Sequence, residues 1–445
     1  MDTKLQVDHH TTDDLQIFEG HGDKTILDLF DETVTPDGKL KLKERFYNPF
    51  NNIEKVVEVQ RAIDHILNNL QDWDFPITPQ VANGINLYYI SKMKPLLFQS
   101  GGISVAEGIL RRIFNREFRE VAVHGTRHML TYLRKLKQWL SKVNNGELPA
   151  LLQGYVDAIE KALADELLSP VFQSEKQAGG YPLLLLDRLL RGKQSVRFVL
   201  MLNQVYELEA LIAIAHAKKK LGFVFPVMEI SEKPVLVLEE AWHPFLKTPV
   251  PSSFKMGEKG NVVFLTGPNM AGKTTFLRSL GICVYLAHLG FPVPAKSAKM
   301  TMLNGILSSI NTLDSVTLGY SYFYSEVLRV KKAAQFVRDT PRVLLIMDEL
   351  FKGTNIKDAY DGSLMVIKGL AQNPGCLVVI SSHLLELAED LKPLPTVSFS
   401  CFSSTLVDGK PRFDYRIHEG VSSERIGLLI LKNEGVDKLL NVQLD

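Results

Sequence analysis

The run NVVFLTGPNMAGKTTFLRSL at residues 261–280 constrains this chain more than any other, because it places an apolar strand, a glycine loop and a helix in immediate succession. A strand over residues 262–265 would end at Thr266, and Gly267 and Gly272 would let the backbone turn so that successive N–H groups point inward. A helix starting near Lys273 would add the positive end of its dipole. The spacing of the two glycines, Lys273 and Thr274 is that of a cradle for a nucleotide triphosphate. The sequence therefore predicts ATP and Mg2+ on Gly267, Pro268, Asn269, Met270, Ala271, Gly272, Lys273, Thr274 and Thr275. Lys273 is expected to reach the β- and γ-phosphates, and the Thr274 hydroxyl to take one position on the magnesium.

Downstream, residues 342–347 (RVLLIM) are an apolar run that ends in Asp348-Glu349 and a glycine-bearing turn, LFKGTN. Ligands of a parallel sheet sit outside the carboxyl ends of its strands, so two acids there suit a second phosphate-site motif. Asp348 is assigned to the magnesium, and Glu349 to the attacking water as the group that orients or deprotonates it. An ordinary strand ending in a solvated acidic turn looks the same, and the upstream glycine loop is what favours the site. A third strand over residues 376–380 precedes Ser381-Ser382-His383. His383 could donate to the γ-phosphate or to the water, although a lone histidine is more often bland. With Lys273 and Glu349 it completes the expected catalytic set for Mg-dependent hydrolysis of ATP to ADP and phosphate.

Five segments in order, GPNMAGKTTFLRS, GYSYFYSE (319–326), LLIMDELFKGTN (344–355), SSH (381–383) and HEGVSSERIGL (418–428), resemble the ATPase domain of the MutS mismatch-repair family over about residues 236–440. Residues 26–66 resemble the start of that family's core domain, and residues 206–228 its last lever helix. The resemblance implies an α plus α/β chain, with a helical core and lever followed by an ABC-type P-loop domain built on a mostly parallel sheet. The expected blocks are a polar tail at 1–20, a helical core and lever at 21–232, and the ATPase at 233–445. It also implies that Ser321 reaches the γ-phosphate bound by a second subunit, that Glu326 matches the family's acid, and that ATP clamps a homodimer. A serine after glycine at a helix start is otherwise an N-cap.

The departures shape the expected function. Few residues precede the core-like segment, so a mismatch-reading domain is expected to be missing, the DNA clamp reduced and the C-terminal dimer helices shortened. The aromatic that stacks on adenine in the family is not found ahead of Val250, where Pro249 falls. The expectation is an ATP-switched protein that acts on DNA in mismatch repair or a related repair or recombination process, without recognising mismatches itself. A repair-protein partner is open. The rival reading is a nucleotide-regulated clamp or scaffold that binds a protein partner.

Net charge is +1, which gives no evidence of a broad nucleic-acid surface. Arg111, Arg112, Arg116, Arg119, Arg127, His128, Arg134, Lys135 and Lys137 make a long helix expected over residues 105–143 locally basic, a phosphate-contact candidate or, more simply, a solvated face. Cys283, Cys376 and Cys401 are far apart and read as buried thiols of a reducing compartment. With no signal-like N-terminus and no apolar run of membrane length, the expected location is cytoplasmic and bacterial-type, nucleoid association being open.

Overall fold

The computed structural model describes residues 4–18, 24–90, 124–144, 146–164, 186–187, 189–191, 195–310, 322–407 and 410–422, with isolated residues between 431 and 439. Met1–Leu29, Asn48–Val57 and Leu221–Asp445 form one compact unit, and Phe30–Tyr47 with Glu58–Lys220 form another. Each unit gathers separate stretches of chain, where the sequence suggested serial blocks.

The N-terminal stretch, expected as a polar tail, is built into the first unit. Strand β1 (Gln6–Val7) and helix α1 (His9–Asp14) carry buried Leu5, Leu15 and Ile17 around them. The polar residues that suggested a tail have specific partners. Asp8 caps α1 by accepting from the Thr11 N–H at 2.9 Å, and buried Asp14 accepts from Ser308 Oγ at 2.6 Å and the Ile310 N–H at 2.9 Å. Burial raises the Asp8 pKa, but hydrogen bonds from Arg329 and Lys332 outweigh that and hold it well below the usual carboxylate range.

Helix α2 (Ile26–Phe30) lies in the first unit but for its last residue, and the helical unit takes its elements from α3 (Pro36–Phe46), α4 (Ile53–Asn68, from Glu58 onward), α5 (Pro79–Ile90), α6 (Thr126–Val143), α7 (Ala150–Leu163) and α8 (Ser195–Leu221). The Asn52 side chain accepts from the Lys55 N–H at 3.1 Å at the start of α4. In α6, buried Met129, Leu133, Leu136 and Leu140 recur at helical spacing, and Trp139 meets Trp73 edge-to-face at 5.6 Å. The N-terminal half of the long helix expected over residues 105–143, with Arg111, Arg112, Arg116 and Arg119, lies outside the described residues. Among the described residues α8 is long and apolar enough to cross a membrane by length and composition, which the sequence reading overlooked, and 72% of its apolar window is buried inside the protein. Glu209 within α8 is buried too. It accepts from the N–H groups of Val34 (2.6 Å) and Thr35 (2.7 Å) and from Thr35 Oγ1 (2.6 Å), just ahead of α3.

The first unit continues through β2 (Val227–Glu229), β3 (Leu236–Ala241), β4 (Ser252–Met256), β5 (Val262–Thr266), α9 (Lys273–His288), β6 (Ser297–Thr301), β7 (Gly305–Ser309) and α10 (Tyr322–Asp339). It ends with β8 (Val343–Asp348), α11 (Ile356–Ala371), β9 (Cys376–Ser381), α12 (Leu387–Leu391), β10 (Val397–Val407) and β11 (Lys410–Glu419). A seven-stranded sheet has the order β1-β7-β8-β9-β5-β10-β11, parallel except for the final hairpin. A four-stranded sheet has the order β2-β6-β3-β4. Strands β5, β8 and β9 are buried at every position, as uniformly apolar runs should be when helices cover both faces of a parallel sheet. On one face Val262, Phe264, Leu345 and Val378 pack with Ala333 and Val337 of α10 and Ile367 and Leu370 of α11. Towards α9, a β-carbon added at Gly281 would come within 2.4 Å of a Leu15 methyl, so a side chain there would require Leu15 to shift. The three cysteines are buried thiols.

Candidate functional site

Strands β8, β9 and β5 lie side by side and parallel, so their carboxyl ends bring together the segments that follow them. The first segment begins at Gly267, whose φ is 146° and where a β-carbon would come within 2.9 Å of the Phe402 carbonyl oxygen. Glycine alone fits that backbone. Gly272, at φ 103°, is the N-cap of α9. Lys273 follows, 5% exposed, its ammonium donating to the carbonyls of Gly267 at 2.7 Å and Pro268 at 3.1 Å. Burial pulls its pKa down, and the carboxylates of Glu349 and Asp348 partly offset this. The result is a fixed cation at the positive end of a helix.

Thr274 Oγ1 donates to Asp348 Oδ2 at 2.7 Å, and Ser381 Oγ donates to the other carboxylate oxygen. This pair ties the glycine loop to the end of β8. Its hydroxyl and carboxylate are hard oxygen donors, the chemistry a magnesium ion takes. Among the described residues, no group of three or more His, Cys, Asp or Glu side chains could hold a metal.

Glu349 and His383, separated in sequence, are brought into contact. Glu349 pairs with His383 Nε2 and, at 3.0 Å, with Lys352 Nζ. Burial raises its pKa, but the bonds and charges of those two partners outweigh burial and bring it to about 2. The backbone here is strained: Glu349 has φ 56° and Phe351 φ 60°. A non-glycine residue in that region costs about 1–3 kcal/mol.

A cavity of about 440 Å³ adjoins the loop, and Pro268, Asn269, Met270, Thr274 and Thr275 line it together with Lys273 and Glu349. Ala271 is buried beneath. No aromatic stands at the family's adenine-stacking position, where Pro249 falls, and the cavity's aromatic lining comes from Trp242 and His243 after β3, Phe276 on α9, Phe402 on β10 and Tyr415 on β11. Burial, helped by Arg278, pulls the His243 pKa down to about 4, so this ring stays neutral. The WHP run after a strand was a signal for the first two. Tyr415 carried none, because only the sheet order brings the terminal hairpin to the loop. Ser321 lies outside the described residues. Arg127, His128, Arg134, Lys135 and Lys137 lie on or beside the exposed face of α6 in the helical unit.

Known proteins are similar to this chain in sequence. Residues 263–441 match the family described as MutS domain V. The DNA mismatch repair protein MutS of Aquifex pyrophilus is 31% identical over 52% of this chain and 27% of its own length. The MutS protein of Wolbachia pipientis wMel is 28% identical over 62% of this chain and 32% of its own length. The DNA mismatch repair protein MSH7 of Arabidopsis thaliana is 22% identical over 97% of this chain and 43% of its own length. The chain thus spans between about a quarter and two-fifths of the curated relatives it matches. A MutS domain V therefore lies over the strand ends that carry the glycine loop, Asp348 and His383, and over this part the chain is similar to MutS proteins.

Proposed function

We propose that this chain binds Mg-ATP at the glycine loop, hydrolyses it, and uses the cycle as a switch in DNA mismatch repair or a related repair process. The observation that carries this reading is the Thr274–Asp348 bond of 2.7 Å, which joins the phosphate-cradling loop to an acid with Glu349 beside it. Lys273 and the N–H groups opening α9 neutralise the β- and γ-phosphates. Thr274 and Asp348 would hold the magnesium, which when bound would supply charge neutralisation on the phosphate oxygens. Glu349 orients the attacking water and takes its proton, and His383 sets the position of that carboxylate.

The resemblance of GYSYFYSE to its family counterpart supports a further step, in which Ser321 of one copy completes the site of another and ATP closes the pair. DNA is the partner that the names of the relatives suggest. A net charge of +1 favours modest, salt-sensitive phosphate contacts, with the α6 face as their source, over base reading. A partner protein without DNA is the second reading, favoured by the same near-neutral charge.

The test is Mg-ATP binding and steady-state turnover, with and without matched, mismatched and branched DNA at stated salt. Binding that is lost in Lys273→Ala, and turnover that rises with protein concentration, are expected. Absence of Mg-ATP binding by the wild type would remove the proposal. Turnover indifferent to every DNA would leave the switch and favour the protein partner.

A further inference from the structure

Glu349 sits on a turn that does not hold its shape by local chemistry. Two of its first three residues, Glu349 and Phe351, are non-glycine residues with left-handed backbone, so contacts from elsewhere must fix it. Those contacts come from α10 and α11. The backbone N–H groups of Lys352 and Gly353 both donate to the Glu326 carboxylate on α10, each at 3.1 Å. The Phe351 ring, 6% exposed, lies against Phe323 on the same helix with centroids 5.9 Å apart. On the α11 side it is seated on Gly362, where a β-carbon would come within 3.0 Å of the ring.

We propose that Glu326 and Phe351 are positioning residues that latch the Glu349 turn to helix α10, so that the placement of α10 sets the placement of the hydrolytic carboxylate. The proposal rests on the assignment of Glu349 above. Glu326 is itself 6% exposed, and two N–H donors on one carboxylate fix two consecutive peptide planes of the turn. Burial nonetheless raises its pKa, with the two N–H bonds opposing this, which fits a buried acid retained for its two backbone bonds. The Phe351 ring fills the space between the first turn of α10 and α11, so a shift of α10 moves the ring and, through it, the backbone two residues from Glu349. Neither side chain lines the cavity beside the glycine loop.

The experiment measures Mg-ATP affinity, KM and kcat for Glu326→Gln, Phe351→Gly and Phe351→Leu beside the wild type. Gln keeps the shape of Glu326 but offers a single oxygen to two donors. Gly at 351 releases both the wedge and the strain, and Leu keeps an apolar wedge. The expected result is a kcat lowered at least tenfold in Phe351→Gly and at least fivefold in Glu326→Gln, with affinity and KM within twofold of wild type. Phe351→Leu should retain at least half of kcat. If Phe351→Gly does not fold, Glu326→Gln decides. An unchanged or raised kcat in the folded variants, or a loss carried by KM, would overturn the latch. A wild type that binds Mg-ATP but does not hydrolyse it would overturn the assignment of Glu349 instead.

Discussion

After β5 the chain makes its left-handed turns at Gly267 and Gly272, with exposed Met270 as the exception, whereas after β8 it makes them at Glu349 and Phe351. Glycine enters that backbone region freely, and another residue there costs about 1–3 kcal/mol. The first loop is therefore shaped by its own sequence. The second holds its shape through partners distant in the chain: Glu326 and Phe323 on α10, Gly362 on α11 and His383 after β9. On the function proposed above, a loop that grips the same phosphates in every cycle can be rigid by composition, and a turn that carries the group acting on water is better tied to elements able to move it.

The largest effect that would break this contrast lies in the first loop. Gly267→Ala puts a β-carbon 2.9 Å from the Phe402 carbonyl at φ 146°, so the loop must distort. A loss of nucleotide affinity of about 100-fold, about 2.8 kcal/mol, is expected in a calorimetric titration. Unchanged affinity would mean that the cradle does not depend on its glycines.

A smaller effect tests the strain in the second turn. Truncating Phe351 to alanine leaves a residue at φ 60° that still dislikes the conformation, whereas glycine does not. Phe351→Gly should therefore be more stable than Phe351→Ala by about 1 kcal/mol in urea unfolding, although it removes one more carbon. The opposite order would show that the turn relaxes on truncation.

The smallest effect concerns pH. The Glu349 carboxyl titrates at about 2 in the fold against an ordinary 4.5, because His383 and Lys352 outweigh burial. The folded state binds this proton less tightly than the unfolded chain, so the pairing stabilises the fold above about pH 4.5, and that contribution is lost as pH falls towards 2. Glu349→Gln should flatten part of the acid loss, its urea midpoint dropping less than that of wild type between about pH 5 and pH 3. Identical pH slopes would show that the pairing adds nothing to stability in solution.

The same contrast explains what the sequence could disclose. Strands β5, β8 and β9 were legible as apolar runs, and the glycine loop, Thr274, Asp348, Glu349 and His383 by their place at strand ends, because local pattern determines them. Contacts between distant segments were not legible. Asp8, Thr11 and Asp14 read as a polar tail, since nothing local shows that Ser308 and Arg329 satisfy them. The Phe351 seat depends on Gly362 and Phe323, and Tyr415 enters the cavity lining only because β10 and β11 extend the sheet beside β5. The apolar run of α8 is interrupted by charges such as Glu207 and Glu209, and its membrane-like composition belongs to a helix whose apolar window is mostly buried inside the protein.

Phosphate release from pre-bound Mg-ATP in a single turnover, wild type against Glu349→Gln, tests the central claim most directly. The account predicts equal binding of Mg-ATP by both proteins, with release slowed at least 100-fold in the variant, about 2.8 kcal/mol in the barrier. Release by Glu349→Gln at the wild-type rate would contradict the assignment of this carboxylate to the water, and with it the contrast between a gripping loop and a working turn.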